Sequence, residues 1–169
     1  MIIRGLLVFF STYKSAIDAK GRVSVPASFR AALGGASRVY VWPSFDGRGC
    51  LEAGGEALMN DYRQILARMS PHDPAREAIA HSVFGRSADL KMDEPGRIKL
   101  PASQLEAVGI KNTVIFSGAF DRFRIWSPER FEAFDAEMSA QATANLDKLD
   151  APFKAALEAG AIAGGGEQS

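Results

Sequence analysis

The chain has 169 residues, 47% of them hydrophobic, which is enough to bury a core and too apolar for a disordered chain. One cysteine, Cys50, excludes an internal disulfide, and the early apolar run Leu6–Phe10 is too short for a membrane span or a secretion signal, so a soluble cytoplasmic protein is expected. The formal charge of zero argues mildly against nucleic acid, yet residues 1–40 carry six bases against one acid and residues 132–169 carry seven acids against two bases, a polarity compatible with a nucleic-acid face.

In chain order, Asp18-Ala19-Lys20-Gly21 is turn chemistry, with Asp able to bond its own backbone and Gly free to take positive φ. Arg22-Val23-Ser24-Val25 alternates polar and apolar residues, as a half-buried strand does. Pro26 suits the first position of a short helix over Ala27–Leu33, and Gly34 suits its left-handed cap. Strands are predicted at Arg38–Trp42 and around Gly49–Glu52. Glu56–Met69 has the apolar spacing of an amphipathic helix, and Arg76–Phe84 continues as helix after the break at Pro71 and Pro74. The first pattern then recurs as turn Asp93–Gly96, strand Arg97–Leu100, Pro101, helix Ala102–Val108 and Gly109, with strands at Thr113–Ser117 and Phe123–Trp126. Ser127-Pro128-Glu129 opens a C-terminal helix through Phe131, Phe134 and Met138 toward Leu157, and Gly164–Ser169 is a frayed end.

Sliding the chain by 75 positions lays Asp18, Gly21, Arg22, Pro26, Ala27, Ser28, Ala32 and Gly34 on identical residues, eight matches within the 17 positions from 18 to 34. Val39 meets Val114, Phe45 meets Phe120 and Asp46 meets Asp121 in the same register. The chain is therefore read as a tandem duplication of one small β-rich module, mainly β with α (α+β). The divisions expected are a first module at 9–53, connecting helices at 54–83, a second module at 84–127, a C-terminal helix at 128–158 and a disordered tail at 159–169.

Asp and Arg four apart across a tight turn can pair, and the pair can aim the guanidinium. The plain alternative is a surface salt bridge that holds a hairpin. An enzyme is not expected. His72 and His81 lack metal spacing, and the chain has no Gly-rich phosphate loop, nucleophile elbow or paired cysteine. Cys50 reads as a small buried hydrophobe, and no cofactor or metal is implied.

The segment from Ser11 to Arg30, with Asp18-Ala19-Lys20-Gly21-Arg22 and Pro26, resembles the opening of the MraZ family of bacterial transcriptional regulators. Leu90–Pro101 resembles that family's second cassette, and the likeness spans Phe9 to Met138. It implies two tandem SpoVT–AbrB-like swapped-hairpin, half-barrel modules that pair within one chain as a pseudo-dimer, with flanking helices. It also implies ring-shaped homo-oligomers that bind double-stranded DNA, namely short direct repeats in the protein's own promoter upstream of the cell-division and cell-wall gene cluster, and hence nucleoid association without a membrane. The motif carries over to Asp18 and Arg22, and to Asp93 and Arg97; Gly21 and Gly96 shape the two turns.

Arg22 is the foremost DNA contact expected, supported by Lys20 on the same turn, with Lys14 toward backbone phosphate. In the second copy Glu94-Pro95 replaces Ala19-Lys20, so the Asp93–Arg97 pair is expected to be more structural, or to lie at a subunit contact. Arg30 either joins the basic face or ends its helix with a salt bridge. Val8 stands where the family pattern would begin, which makes residues 1–7 an expected extension ahead of the native start. The alternatives are an AbrB-type antitoxin, or a ring scaffold that does not bind DNA.

Overall fold

Strand β1 (Thr12–Ala16) passes through the first turn into the short β2 (Arg22–Ser24). Helix α1 (Ala27–Ala32) and strands β3 (Arg38–Pro43) and β4 (Leu51–Gly54) complete the first copy. Helices α2 (Glu56–Arg68) and α3 (Pro74–Ala80) follow, and α3 runs into a π-helical turn at His81–Gly85, where a plain helix was predicted. The second copy repeats the order as β5 (Ala88–Lys91), β6 (Arg97–Lys99), α4 (Ala102–Ala107), β7 (Thr113–Ala119) and β8 (Arg122–Trp126). This computed structural model describes residues 8–160. The extension expected at 1–7, and residues 161–169 of the expected tail, lie outside the described residues.

Local chemistry explains most boundaries. Gly34 and Gly109 end the two short helices with φ of +69° and +68°, as left-handed caps. Pro26 and Pro101 sit one place earlier than predicted, as N-caps with ψ of 141° and 135°, because the extended chain runs on into them. Val25 and Leu100, just before, donate their N–H groups to the carbonyls of Gly96 and Gly21. Strand β4 begins two residues later than predicted: Gly47 and Gly49 hold the preceding loop at positive φ, and Ser44 N–H closes it on the Cys50 carbonyl at 2.8 Å.

The two copies exchange strands. A six-stranded sheet runs β1-β7-β8-β4-β3-β5 with every neighbouring pair antiparallel, so each copy's first strand pairs with the other copy. Ala16 faces Thr113 and Lys91 faces Arg38; adding 75 to the first residue and subtracting it from the second converts one pair into the other. The remaining strands, β2 and β6, pair only with each other, and Val23 lies opposite Ile98. Those two residues are the same position in the two copies, so a pseudo-twofold axis passes between them. The protein is thus an α+β fold built of two interlocked tandem modules. A three-residue strand is marginal alone, and its fully buried Val23 or Ile98 ties it to the common core.

That core gathers Val25, Leu100, Val39, Val41, Phe29, Phe116 and Phe123. On the outer face, Trp42, Leu58, Met59 and Val83 form a second apolar cluster beneath α2 and the π-turn. Glu52 on β4 is buried beside them, 3.1 Å from Arg122 and 3.4 Å from Arg124. Cys50 is fully buried, as predicted, and burial pushes its thiol up to about 12.

The chain divides into compact units at Met1–Phe131 and Glu132–Ser169. Helix α5 (Pro128–Ala144) starts with Ser127 Oγ accepting from Arg130 N–H, the predicted cap. The predicted single C-terminal helix is in fact two, with α6 (Asp147–Glu158) following a break. Thr143 Oγ1 and Asn145 Nδ2 bond back to the carbonyls of Ser139 and Gln141, side-chain competition that loosens a helix end.

Candidate nucleic-acid interface

Each copy builds its turn on one aspartate. Asp18 N–H donates to the Arg22 carbonyl at 2.9 Å, and Gly21 N–H donates to the Asp18 carbonyl at 3.0 Å. Asp18 Oδ1 then accepts from the N–H groups of Lys20 (2.9 Å) and Arg22 (2.8 Å), while Oδ2 accepts from Arg22 Nε at 2.7 Å. These bonds, the Arg22 backbone N–H foremost, hold the Asp18 carboxyl below its ordinary pKa. The second turn repeats the design. Asp93 Oδ1 accepts from Arg97 N–H at 2.7 Å and Oδ2 from Arg97 Nε at 2.9 Å, with the carboxyl lowered for the same first reason. One bond is missing there, because Pro95 replaces Lys20 and has no N–H to donate.

The pairing through Nε has a consequence for function. It fixes the plane of the Arg22 guanidinium and leaves its two terminal nitrogens without a hydrogen bond among the described residues. Such a fork suits a bidentate acceptor, whether phosphate or the O6/N7 edge of guanine. Both ion pairs are about one-third exposed, so their contribution to stability is small and their value lies in aiming the arginines.

The β2–β6 ribbon carries the two arginines toward its opposite ends. Its register puts Lys99 directly opposite Arg22, and Ser24 opposite Arg97, while Val23 and Ile98 point into the core. Lys99 was not among the expected site residues. Its place on the polar phase of Arg97-Ile98-Lys99 was readable, but only the pairing between copies brings it to Arg22. Lys20 is exposed on the first turn, adjoining this face.

Two expected cations lie elsewhere. Lys14 is exposed on β1 opposite Ile115, in the six-stranded sheet and not in the ribbon. Arg30 forms no helix-end ion pair among the described residues. It lies across the second turn instead, where a Cβ built on Gly96 would stand 2.6 Å from Arg30 Cδ, and its Nε is buried without a partner. The two turns are neighbours: Arg22 helps to lower the Asp93 carboxyl. Around the ribbon Lys20, Arg22, Arg30, Arg97 and Lys99 outnumber Asp18, Asp93 and Glu94.

Among the described residues no cluster of His, Cys, Asp and Glu could hold a metal ion, and no helix is long and apolar enough to cross a membrane.

The family described as "MraZ protein, putative antitoxin-like" matches this chain at residues 8–79 and again at 83–151, one match for each copy with its following helices. A protein of Hyphomonas neptunium named transcriptional regulator MraZ is 49% identical over 165 residues, covering 96% of this chain and all of that relative. Proteins with the same name from Caulobacter vibrioides (38% over 157 residues, 92% of this chain and all of the relative) and Phenylobacterium zucineum (39% over 150 residues, 88% and 93%) agree. These relatives are named as regulators and not as enzymes. With both cassettes matched in order and nearly the whole chain aligned, the chain belongs to the MraZ family of transcriptional regulators.

Proposed function

We propose that this regulator binds double-stranded DNA in a sequence-specific manner by laying the β2–β6 ribbon in the major groove, with Arg22 as its principal base contact. The observation that carries this reading is the Asp18–Arg22 pair, which aims a guanidinium whose terminal nitrogens have no hydrogen-bond partner among the described residues. A two-stranded ribbon is narrow enough for the groove, and arginine to guanine is the commonest specific contact there. Lys20 and Lys99 add charge at the Arg22 end. At the other end Glu94 and Pro95 weaken the second turn as a reader, so Arg97 and Arg30 serve phosphate, and the Asp93–Arg97 pair serves mainly the turn. Lys14, away from the ribbon, serves backbone phosphate if DNA extends along β1.

The family resemblance supports a homo-oligomeric ring that reads short direct repeats in the protein's own promoter, at the head of the cell-division and cell-wall gene cluster, in association with the nucleoid. Subunits related by rotation present one face in one sense, which suits same-direction boxes about one helical turn, roughly 10 bp, apart. Linkage between sites would amplify a weak contact per module. Fluorescence anisotropy with the chain's own upstream DNA tests the reading. Multi-box DNA is expected to bind far more tightly than a single box or a scrambled duplex, with affinity falling steeply as salt rises. Equal affinity for all three duplexes would refute it.

A further inference from the structure

The ribbon is symmetric in its backbone and unsymmetric in its side chains. The pseudo-twofold axis between Val23 and Ile98 exchanges its ends, taking the Arg22–Lys99 pair onto the Arg97–Ser24 pair. The two turns exchange as well, and each arginine keeps the same Nε bond to the aspartate of its own turn. A reader with twofold symmetry fits a DNA groove equally well in either direction, which is why such readers match palindromic sites. Phosphate contacts made from a frame of this kind carry no sequence information. The strands and turns therefore leave open which way round the ribbon lies, and that choice falls to the side chains that break the symmetry.

Those side chains are unevenly placed. At the offset of 75, Ala19 becomes Glu94, Lys20 becomes Pro95 and Ser24 becomes Lys99. Lys20 belongs to the Arg22 turn, and the register carries Lys99 across from the second copy to that same end, where both are exposed. Lys20, Arg22 and Lys99 thus stand there against Asp18 alone. At the other end Arg97 and Arg30 stand against Asp93 and Glu94, and the neutral, exposed Ser24 takes the place that Lys99 holds opposite Arg22. A symmetric frame therefore carries a polar distribution of charge. The reach toward bases differs too, since lysine selects the acceptors of guanine and a serine hydroxyl pairs with any base.

We propose that Lys20 and Lys99, set against Pro95, Glu94 and Ser24, fix the direction in which the ribbon lies in the groove, so that one chain reads a non-palindromic site in one orientation only. This rests on the DNA reading above and goes beyond it, because Arg22 and Arg97 are exchanged by the pseudo-axis and cannot by themselves tell the two directions apart. Reversing the ribbon puts Ser24 where Lys99 stood and Pro95 where Lys20 stood, which removes two cations from that end. It also brings the Glu94 carboxylate to the place of Ala19, where it repels phosphate.

The test is directed cleavage of a short duplex that carries a single box from the chain's own upstream DNA. An iron chelate is attached to the full chain at Ala19→Cys or, separately, at Glu94→Cys; both positions are exposed, and the native Cys50 is buried. The label at 19 is expected to cut one flank of the box over the other by about tenfold, and the label at 94 the opposite flank. Making the second end resemble the first, by Glu94→Ala, Pro95→Lys and Ser24→Lys together in the Ala19→Cys chain, should preserve binding and bring the flank ratio to about twofold or less. Should that chain not fold, Ser24→Lys alone should lower the ratio at least about threefold. Equal cutting of both flanks by the bound chain with only its label added, or an undiminished ratio in a folded variant, would overturn the orientation proposal while leaving DNA binding in place. Failure of the labelled chains and the unlabelled protein to bind the duplex at all would overturn the DNA reading and this proposal with it.

Discussion

The two turn glycines hold equivalent positions but differ in their neighbours, which makes them a sharp probe of how the copies interlock. Gly21 has φ of +79° and Gly96 of +88°, so alanine at either place carries the left-handed penalty of about 1–2 kcal/mol. A Cβ on Gly21 would meet nothing closer than the Leu100 carbonyl oxygen at 3.4 Å, an ordinary contact. On Gly96 it would stand 2.6 Å from Arg30 Cδ and 2.8 Å from Arg30 Nε, so Arg30 must leave its place, at a further cost of about 0.5–1.5 kcal/mol. Gly96→Ala should therefore destabilise more than Gly21→Ala. Adding Arg30→Ala to Gly96→Ala should cost less than the two single changes together, by roughly that same 0.5–1.5 kcal/mol. Adding it to Gly21→Ala should be additive. Urea unfolding of the five variants, compared at constant m, measures both cycles. If the Gly96 cycle is additive within about 0.3–0.5 kcal/mol, Arg30 does not lie on the second turn.

Other consequences are independent of that cycle. Cys50, buried and with its thiol pushed up to about 12, should resist a thiol reagent in the native protein near neutral pH and react on denaturation; rapid native labelling would contradict the packing of β4. Glu52→Ala removes the buried carboxylate that Arg122 and Arg124 share, while Arg122 keeps Asp121 and Tyr62 and Arg124 keeps Asp46, and should cost about 1–3 kcal/mol in thermal or urea unfolding, where a loss near zero would show the Glu52 contacts to be incidental. The Asp18 and Asp93 carboxyls are lowered in the fold, so what they contribute to stability is present above the ordinary value of 3.8 and is lost as pH falls through their folded values. NMR titration should place both midpoints below 3.8, and Asp18→Asn should flatten part of the acid limb; a midpoint at or above 3.8 would mean the turn bonds are absent in solution.

Much of this was legible in the chain because the duplication is nearly literal at the turns. Identical Asp, Gly and Arg at an offset of 75 fix two turns of one geometry, and alternation in Arg22–Val25 and Arg97–Leu100 fixes which side chains are buried. Capping glycines located the helix ends. What stayed hidden depends on contacts between the copies. The place of Lys99 beside Arg22 follows from the cross-copy register, and that of Arg30 over Gly96 from the packing of one module's helix on the other's turn. Gln104 stands at the position of Phe29 in the first copy, and its burial with Nε2 on the Val41 and Arg86 carbonyls follows from packing that helix periodicity does not show. Loop glycines delayed β4, and side-chain bonds to backbone carbonyls divided the C-terminal helix; both are local effects that average periodicity passes over.

The central claim is that the first cassette reads DNA and the second mainly supports it. It is tested most directly by comparing Arg22→Ala with Arg97→Ala on the chain's own upstream DNA, at one salt concentration, with assembly mass followed in parallel. Arg22→Ala is predicted to lose about 1–3 kcal/mol of discrimination between the operator and a scrambled duplex, with fold and assembly intact. Arg97→Ala should weaken binding to both duplexes alike. Unchanged discrimination in the folded Arg22→Ala protein, or an equal loss in the two variants, would contradict the division of labour between the copies.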